Sequence, residues 1–351
     1  MISDVHLTNF RSYTDSAFEF GDGVNIIVGP NASGKTNLLE SILVLCTGSS
    51  YRVKDVELIR FDQPWCRLES DSEGTQRKVT IENVCGLAQK KFSIDGAIQK
   101  RLLLNKKLPV VLFEPDHLRL LQGSPERRRD YLDGLLEQTV TGYGTLRREY
   151  RRTLAQRNAL LKSPTRPQEA QLFVWNVRLS ELGGKIVSLR AKTVDMLNKN
   201  IEALYGELAH SSTPVRLEYE SDCRVENYST EVLHLLSVNL TKDLTRGFTG
   251  NGPHRHDMKV FLKDHIATET ASRGESRTLL LALKLLELDF VEKARGKKPI
   301  LLLDDVFSEL DGARRKALTA HLKHYQTFIT TTDADIVVKH FIDNCTIIPL
   351  G

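Results

Sequence analysis

Eight consecutive residues, Gly29-Pro30-Asn31-Ala32-Ser33-Gly34-Lys35-Thr36, have the types and spacing of a phosphate-binding loop, G-x-x-x-x-G-K-[ST]. In such a loop, backbone N–H groups and a helix N-terminus surround phosphate oxygens. Lys35 would reach the β/γ-phosphates and the Thr36 hydroxyl would ligate Mg²⁺. A bare strand–helix turn needs neither Lys nor Thr at those places, so the chemistry indicated is nucleoside-triphosphate binding. Two carboxylates, Asp304 and Asp305, follow the apolar run 300–303. Asp304 suits a Mg²⁺ holder opposite Thr36. Asp305 sits where a carboxylate could orient and deprotonate an attacking water. Between these motifs, Ala271-Ser272-Arg273-Gly274-Glu275-Ser276-Arg277 opens a long apolar helix, where Ser272 and Gly274 would form a second anion site. Taken alone, that Ser and Gly are only a helix cap.

Positioning these groups requires a strand before the loop and a helix after it. The apolar run 24–28 reads as the strand, and residues 35–45 carry Leu38, Leu39, Ile42, Leu43 and Leu45 at helical spacing. Further strands are expected at 2–10, from 18, at 77–84 and 90–94 with a turn at Asp95-Gly96, and at 109–113. Helices are expected at 115–121, 125–138, 143–161 and 169–209, with a break at 163–167 and a kink at Gly183-Gly184. Strands at 215–220, 258–262, 299–303, 327–330 and 346–348 then alternate with helices at 230–248, 277–294 and 313–323. This order predicts an α/β fold with a largely parallel sheet, ligands at the strands' carboxyl ends, and an antiparallel β-subdomain beside it. The helical excursion is too long for a loop. The expected division is a discontinuous lobe, 1–113 with 213–351, and an inserted, mostly helical lobe, 114–212.

The 351 residues carry a formal net charge of +4, too mild by itself to announce nucleic acid. The distribution says more. Residues 147–166 hold seven basic side chains (Arg147, Arg148, Arg151, Arg152, Arg157, Lys162, Arg166) against Glu149 alone. Arg147/Arg151 and Arg148/Arg152 are i, i+4 neighbours, a stripe that would bind phosphate backbones without reading sequence, or simply a solvated face. Five scattered cysteines (Cys46, Cys66, Cys85, Cys223, Cys345) without a C-x-x-C pair read as reduced core thiols and make a zinc site improbable. No apolar run is long enough to span a membrane, and the first residues lack a signal peptide's pattern, so a cytoplasmic protein is expected.

The order phosphate loop, S-x-G-x before a helix, apolar-strand-Asp-Asp, then Ser308-Glu309-Leu310-Asp311 resembles the ABC-type ATPases, including the SMC group. That resemblance implies ATP sandwiched in a dimer, with the serine motif of one copy on the γ-phosphate held by the other. A closer resemblance is to the RecF family of bacterial recombination mediators. It rests on residues 7–13, 34–42, Pro115-Asp116 with 120–133, Gly252-Pro253-His254-Arg255, and 302–311 with Arg314 and Leu318. It implies an ABC-type P-loop ATPase head and adds Arg11 to the nucleotide-binding residues. It also implies a slow, DNA-stimulated ATPase used as a switch, an ATP-dependent homodimer on single-stranded, gapped or junction DNA, and work with RecR and RecO to load RecA in repair, replication restart and the SOS response. Arg127-Arg128-Arg129 could serve nucleotide or partner. Three departures stand out: His256 where that family has an acid, Arg273-Gly274-Glu275 for Gln-Gly-Gln, and Thr330-Thr331-Thr332-Asp333 where transporter ATPases carry a switch histidine. Rival readings are a membrane transporter's ATPase subunit, a long-coil SMC protein and a small-molecule kinase.

Overall fold

The computed structural model describes residues 1–163, 169–333, 337–339 and 345–351. Strands β1 (Asp4–Phe10), β2 (Tyr13–Glu19) and β3 (Val24–Val28) lead to helix α1 (Lys35–Thr47), followed by β4 (Trp65–Ser72), β5 (Thr75–Val84), β6 (Leu87–Ile94), β7 (Ala97–Gln99) and β8 (Val110–Phe113). Helices α2 (Arg119–Gln122), α3 (Pro125–Thr139), α4 (Tyr143–Leu161) and α5 (Glu169–Ala209) come next. Then follow β9 (Val215–Glu220), α6 (Tyr228–Val238), α7 (Leu240–Arg246), β10 (Asp257–Leu262), β11 (His265–Ile266) and α8 (Ala267–Thr270). The chain ends with α9 (Arg273–Arg295), β12 (Ile300–Asp304), α10 (Val306–Glu309), α11 (Gly312–Leu322), β13 (Thr327–Thr331) and β14 (Cys345–Pro349).

Two units result, Met1–His117 with Glu287–Gly351, and Leu118–Leu286. The first is built on a five-stranded sheet in the order β14-β3-β13-β12-β8, with every pairing parallel. Strands β12 and β13 are buried along their whole length, which is why β12 reads as a continuous apolar run up to Asp304 and β13 carries Phe328 and Ile329 between buried threonines rather than an alternating pattern. A six-stranded antiparallel meander, β2-β1-β4-β5-β6-β7, forms the second sheet, and the turn at Asp95-Gly96 joins β6 to β7 with both residues at positive φ. Helix α1 contacts strands of both sheets. Leu38, Leu39, Ile42 and Val44 share one core with Val5, Leu7 and Phe10 of the meander and with Leu302 and Phe328 of the parallel sheet. A helix clamped between two sheets must be apolar nearly all round, and α1 is buried from Leu38 to Cys46.

The second unit centres on α5, which packs on α4, α6 and β9. Leu179, Leu182, Ile186 and Val187 share a core with Tyr143, Tyr150, Tyr228, Val232 and Leu236. The unit therefore extends to Leu286 rather than ending at 212, because the segments after β9 close over α5 and complete its core. Three local expectations change. The helix expected at 230–248 divides at Asn239, whose ψ of 9° leaves the helical range and whose side chain reaches Asn251. The run 115–121 opens as a 3-10 turn, Pro115–Leu118, before α2. Helix α5 runs unbroken through Gly183-Gly184, and a Cβ at Gly184 would collide with Ser229 Oγ, so that glycine admits the start of α6. The break expected at 163–167 lies, beyond Ser163, outside the described residues. All five thiols are free, but only Cys46, Cys66 and Cys223 are buried; Cys85 sits exposed in the β5–β6 turn.

Arg157, read in sequence as part of the basic stripe, is fully buried. Its guanidinium donates to Asp243 (2.8 Å), Thr249 Oγ1 (2.7 Å) and Asn176 Oδ1 (2.6 Å). Arg157→Ala would leave the Asp243 carboxylate buried without a counter-charge, costing about 3–5 kcal/mol. Urea denaturation should show that loss, whereas Arg152→Ala on the exposed face should stay within about 0.5 kcal/mol of the parent.

Candidate nucleotide-binding and hydrolysis site

The phosphate loop spans the gap between β3 and α1 at the carboxyl end of the parallel sheet. Thr331 pairs in register with Val28, and Asp304 with Thr330, so the ends of β3, β13 and β12 lie side by side. Gly34 enters α1 with φ +100°. A Cβ at Gly29 would run into the Leu350 carbonyl and come within 2.6 Å of Ser33 Oγ. Asn31 and Ala32 form the exposed crest of the loop, and Pro30 accepts a bond from the Ser33 N–H. Ser33 Oγ itself is buried without a hydrogen-bond partner. Lys35 is buried, with Nζ donating to the carbonyls of Gly29 (2.8 Å) and Pro30 (2.9 Å), so its ammonium is drawn across the mouth of the loop.

Thr36 and Asp304, 268 residues apart, meet here. Thr36 Oγ1 donates to Asp304 Oδ1 at 3.0 Å. The same carboxylate oxygen accepts from Thr330 Oγ1 (2.8 Å), and Oδ2 accepts from the Tyr51 hydroxyl (3.4 Å). Burial first, then the neighbouring Asp304 and Glu114 carboxylates, raises the Tyr51 hydroxyl well above the usual tyrosine range and keeps it a donor. Asp305 follows at φ +55°, an unfavourable backbone for a residue with a side chain, and its N–H donates to Thr330 Oγ1 (2.9 Å). The hydroxyl and carboxylate oxygens of Thr36 and Asp304 are hard donors of the kind Mg²⁺ takes, and their spacing fits such an ion.

Arg11 lies against the loop's helix. Its guanidinium is held by Glu40, through Nε (2.9 Å) and Nη2 (3.4 Å), and by the Glu57 carbonyl (3.2 Å). Glu40 lies on α1 and is fully buried, so Arg11 neutralises it and fastens the β1–β2 turn to the loop's helix. Tyr13 reinforces this, its hydroxyl donating to the Gly34 carbonyl at 3.1 Å. Tyr51, Thr330, Tyr13 and Glu40 were missed in the sequence. Only Thr330 left a signal, a hydroxyl at the end of an apolar strand.

The serine motif and the arginine signature belong to the second unit. Ser272 caps α9 in a reciprocal pair with Glu275: the Ser272 N–H donates to Glu275 Oε2 (2.8 Å) and the Glu275 N–H to Ser272 Oγ (3.3 Å). Glu275, one of the departures from Gln-Gly-Gln, thus completes the cap, and Gly274 lies in the first turn. The side chains of Ser308 and Glu309 lie outside the described residues. In the arginine signature, Arg128 grips Asp257 in a two-pronged buried pair (2.7 and 2.8 Å), and Arg129 donates to the His256 carbonyl. His256 is itself buried, its ring on Asp222 (2.7 Å) and the Tyr219 hydroxyl (2.9 Å). The signature and the Gly252–Asp257 stretch are therefore two halves of one internal lock.

The basic stripe on α4 is narrower than expected. Arg147 turns inward to Asp130, Asp133 and Glu137, and Arg157 is the core residue described above. Arg148, Arg151, Arg152 and Lys162 are exposed, and Arg166 lies outside the described residues.

A parallel sheet carrying the loop and acid pair at one end, with an antiparallel sheet across the loop's helix, defines the head of an ABC/SMC-type ATPase. A family model described as the RecF/RecN/SMC N terminal domain matches residues 1–347. The DNA replication and repair protein RecF of Halothermothrix orenii is 35% identical over 95% of this chain and 92% of its own, and that of Geobacillus kaustophilus 34% identical over 97% and 95%. The chain belongs to the RecF family of DNA replication and repair proteins. Among solved structures, the recombination mediator protein RecF in the RecFOR pathway with ATPrS is 31% identical, with a TM-score of 0.86 over 95% of this chain and 92% of that one. An Smc head bound to the C-winged helix domain of ScpA is 15% identical with a TM-score of 0.55, a likeness of fold alone. Among the described residues, no helix is long and apolar enough to cross a membrane.

Within the internal lock, burial holds the His254 imidazole down at about 4; its ring nitrogens meet the Tyr150 hydroxyl (2.7 Å) and the Thr249 carbonyl (3.1 Å). The unfolded chain protonates first, near 6.5, so stability falls as pH drops from 6.5 towards 4. At pH 4.5 this group alone should account for about 2–3 kcal/mol of lost stability relative to pH 7. Urea midpoints at the two pH values should differ less in His254→Gln.

Proposed function

We propose that this protein is an ATP-dependent DNA-binding recombination mediator whose two copies are joined by ATP. The observation that carries the reading is the meeting of Thr36 with Asp304 beside the phosphate loop, in a chain similar over nearly its whole length to RecF proteins solved with ATP and ATPrS. The loop 29–36 holds the triphosphate, and Lys35 exchanges its two carbonyl partners for β- and γ-phosphate oxygens. Thr36 Oγ1 and the Asp304 carboxylate would hold Mg²⁺, which when bound neutralises charge on the phosphoryl oxygens. Asp305 accepts the proton of the attacking water. Ser272 and Gly274 of a second copy, at the N-terminus of α9, meet the γ-phosphate.

ATP binding then closes the pair on single-stranded, gapped or junction DNA, and slow, DNA-stimulated hydrolysis opens it, a shift of population driven by a ligand that binds one state better. Arg11 acts on the nucleotide through Glu40 and α1. Arg148, Arg151 and Arg152 are the DNA-facing part of the stripe, with Arg147 supporting them from within. Acting with RecR and RecO, the protein would promote RecA loading in repair, replication restart and SOS induction, in the cytoplasm. The relatives matched along nearly their full length are RecF proteins, which leaves a transporter subunit without support.

Sedimentation with ATP should show the parent as a dimer and Lys35→Ala as a monomer; an unchanged dimer would refute the role given to the loop. Reversing Arg148, Arg151 and Arg152 to Glu should weaken binding to gapped DNA and flatten its dependence on salt, each lost phosphate contact removing about 0.9 from the logarithmic slope on duplex. An unaltered slope would reduce the stripe to a solvated face.

A further inference from the structure

We propose that Thr330 is a positioning residue that ties the Asp304 carboxylate to the backbone of Asp305 in the hydrolysis site. Strand β13 lies between the strand that feeds the phosphate loop and the strand that ends in the acids. Thr330 stands in register with Asp304 on one side and Ile27 on the other, and is fully buried. A hydroxyl has one proton to give and lone pairs to receive with. Here the proton goes to Asp304 Oδ1 (2.8 Å), and the oxygen receives the Asp305 N–H (2.9 Å). Thr331, the next residue, turns its hydroxyl to the backbone of Asp333 instead. Strand β13 thus places one hydroxyl on both the Asp304 carboxylate and the Asp305 backbone amide.

The two bonds do different things. The first fixes the rotation of the Asp304 carboxylate, already engaged by Thr36 through the same oxygen. The second anchors the Asp305 backbone at φ +55°, in the left-handed region that aspartate adopts more readily than most residues but less readily than glycine. The direction in which Asp305 presents its carboxylate therefore depends on a hydroxyl belonging to the neighbouring strand. Valine has the shape of threonine but would remove this acceptor from the Asp305 N–H and leave Asp304 Oδ1 with one donor fewer. The site would still take nucleotide, since the loop is untouched, but the base would lose its aim.

The inference rests on the ATPase reading above. Thr330→Val should lower kcat for ATP hydrolysis about tenfold or more, a factor equal to about 1.4 kcal/mol of barrier. Affinity for a nonhydrolysable ATP analogue at saturating Mg²⁺ should stay within about threefold of the parent. The Mg²⁺ concentration that half-saturates analogue binding should rise, a readout independent of turnover. Thr330→Ser, which keeps the hydroxyl, should recover most of the parent rate, and Thr330→Ala should repeat the loss if the valine variant does not fold. Full turnover in a hydroxyl-free variant, or a serine variant as slow as valine, overturns the proposal alone. A parent that neither binds nor hydrolyses ATP overturns it together with the reading beneath it.

Discussion

The carboxylate of Asp304 is the constraint around which the first unit is organised. It stands at the end of a strand buried along its length, and it accepts bonds from hydroxyls on α1 and on β13. A charge so enclosed is tolerable only where hydrogen-bond donors surround it. The strand order supplies the donors. β12 and β3 are separated by β13, so the acid and the phosphate loop are held one strand apart and bridged by what lies between. Helix α1 could not serve as the loop's base without the second sheet packed on its other side.

The second unit handles charge differently. Asp133 accepts from Arg190 and Tyr143 and pairs with Arg147, Asp257 is gripped by Arg128, and Asp243 by Arg157. These buried pairs fix which segments of the unit meet. They also explain why counting arginines overstated the exposed basic surface. Of the four arginines read as DNA-facing, Arg147 serves the interior.

The sequence made the loop, the acid pair and nearly every strand of the parallel sheet legible, because each is a contiguous pattern whose spacing has one physical reading. Helices α4 and α5 were readable to the residue for the same reason. What could not be read were contacts between distant stretches. Nothing local marks Tyr51 as the donor to Asp304, or Arg11 as the counter-charge of Glu40. The single helix expected at 230–248 shows the same limit from another side, since Asn239 breaks it through a side-chain bond to Asn251. The extent of the second unit was missed because it is set by what packs on α5, which periodicity does not encode.

The Leu350 N–H donates to the Val28 carbonyl, and the Leu350 carbonyl crowds Gly29. Both strands flanking β3, β13 and β14, arrive about three hundred residues after it in the chain. A nascent polypeptide emerging from the ribosome would thus carry the motif 29–36 early yet lack the walls that shape it until about three hundred further residues have been made. The loop 29–36 therefore takes its final shape only once both strands flanking β3 are in place.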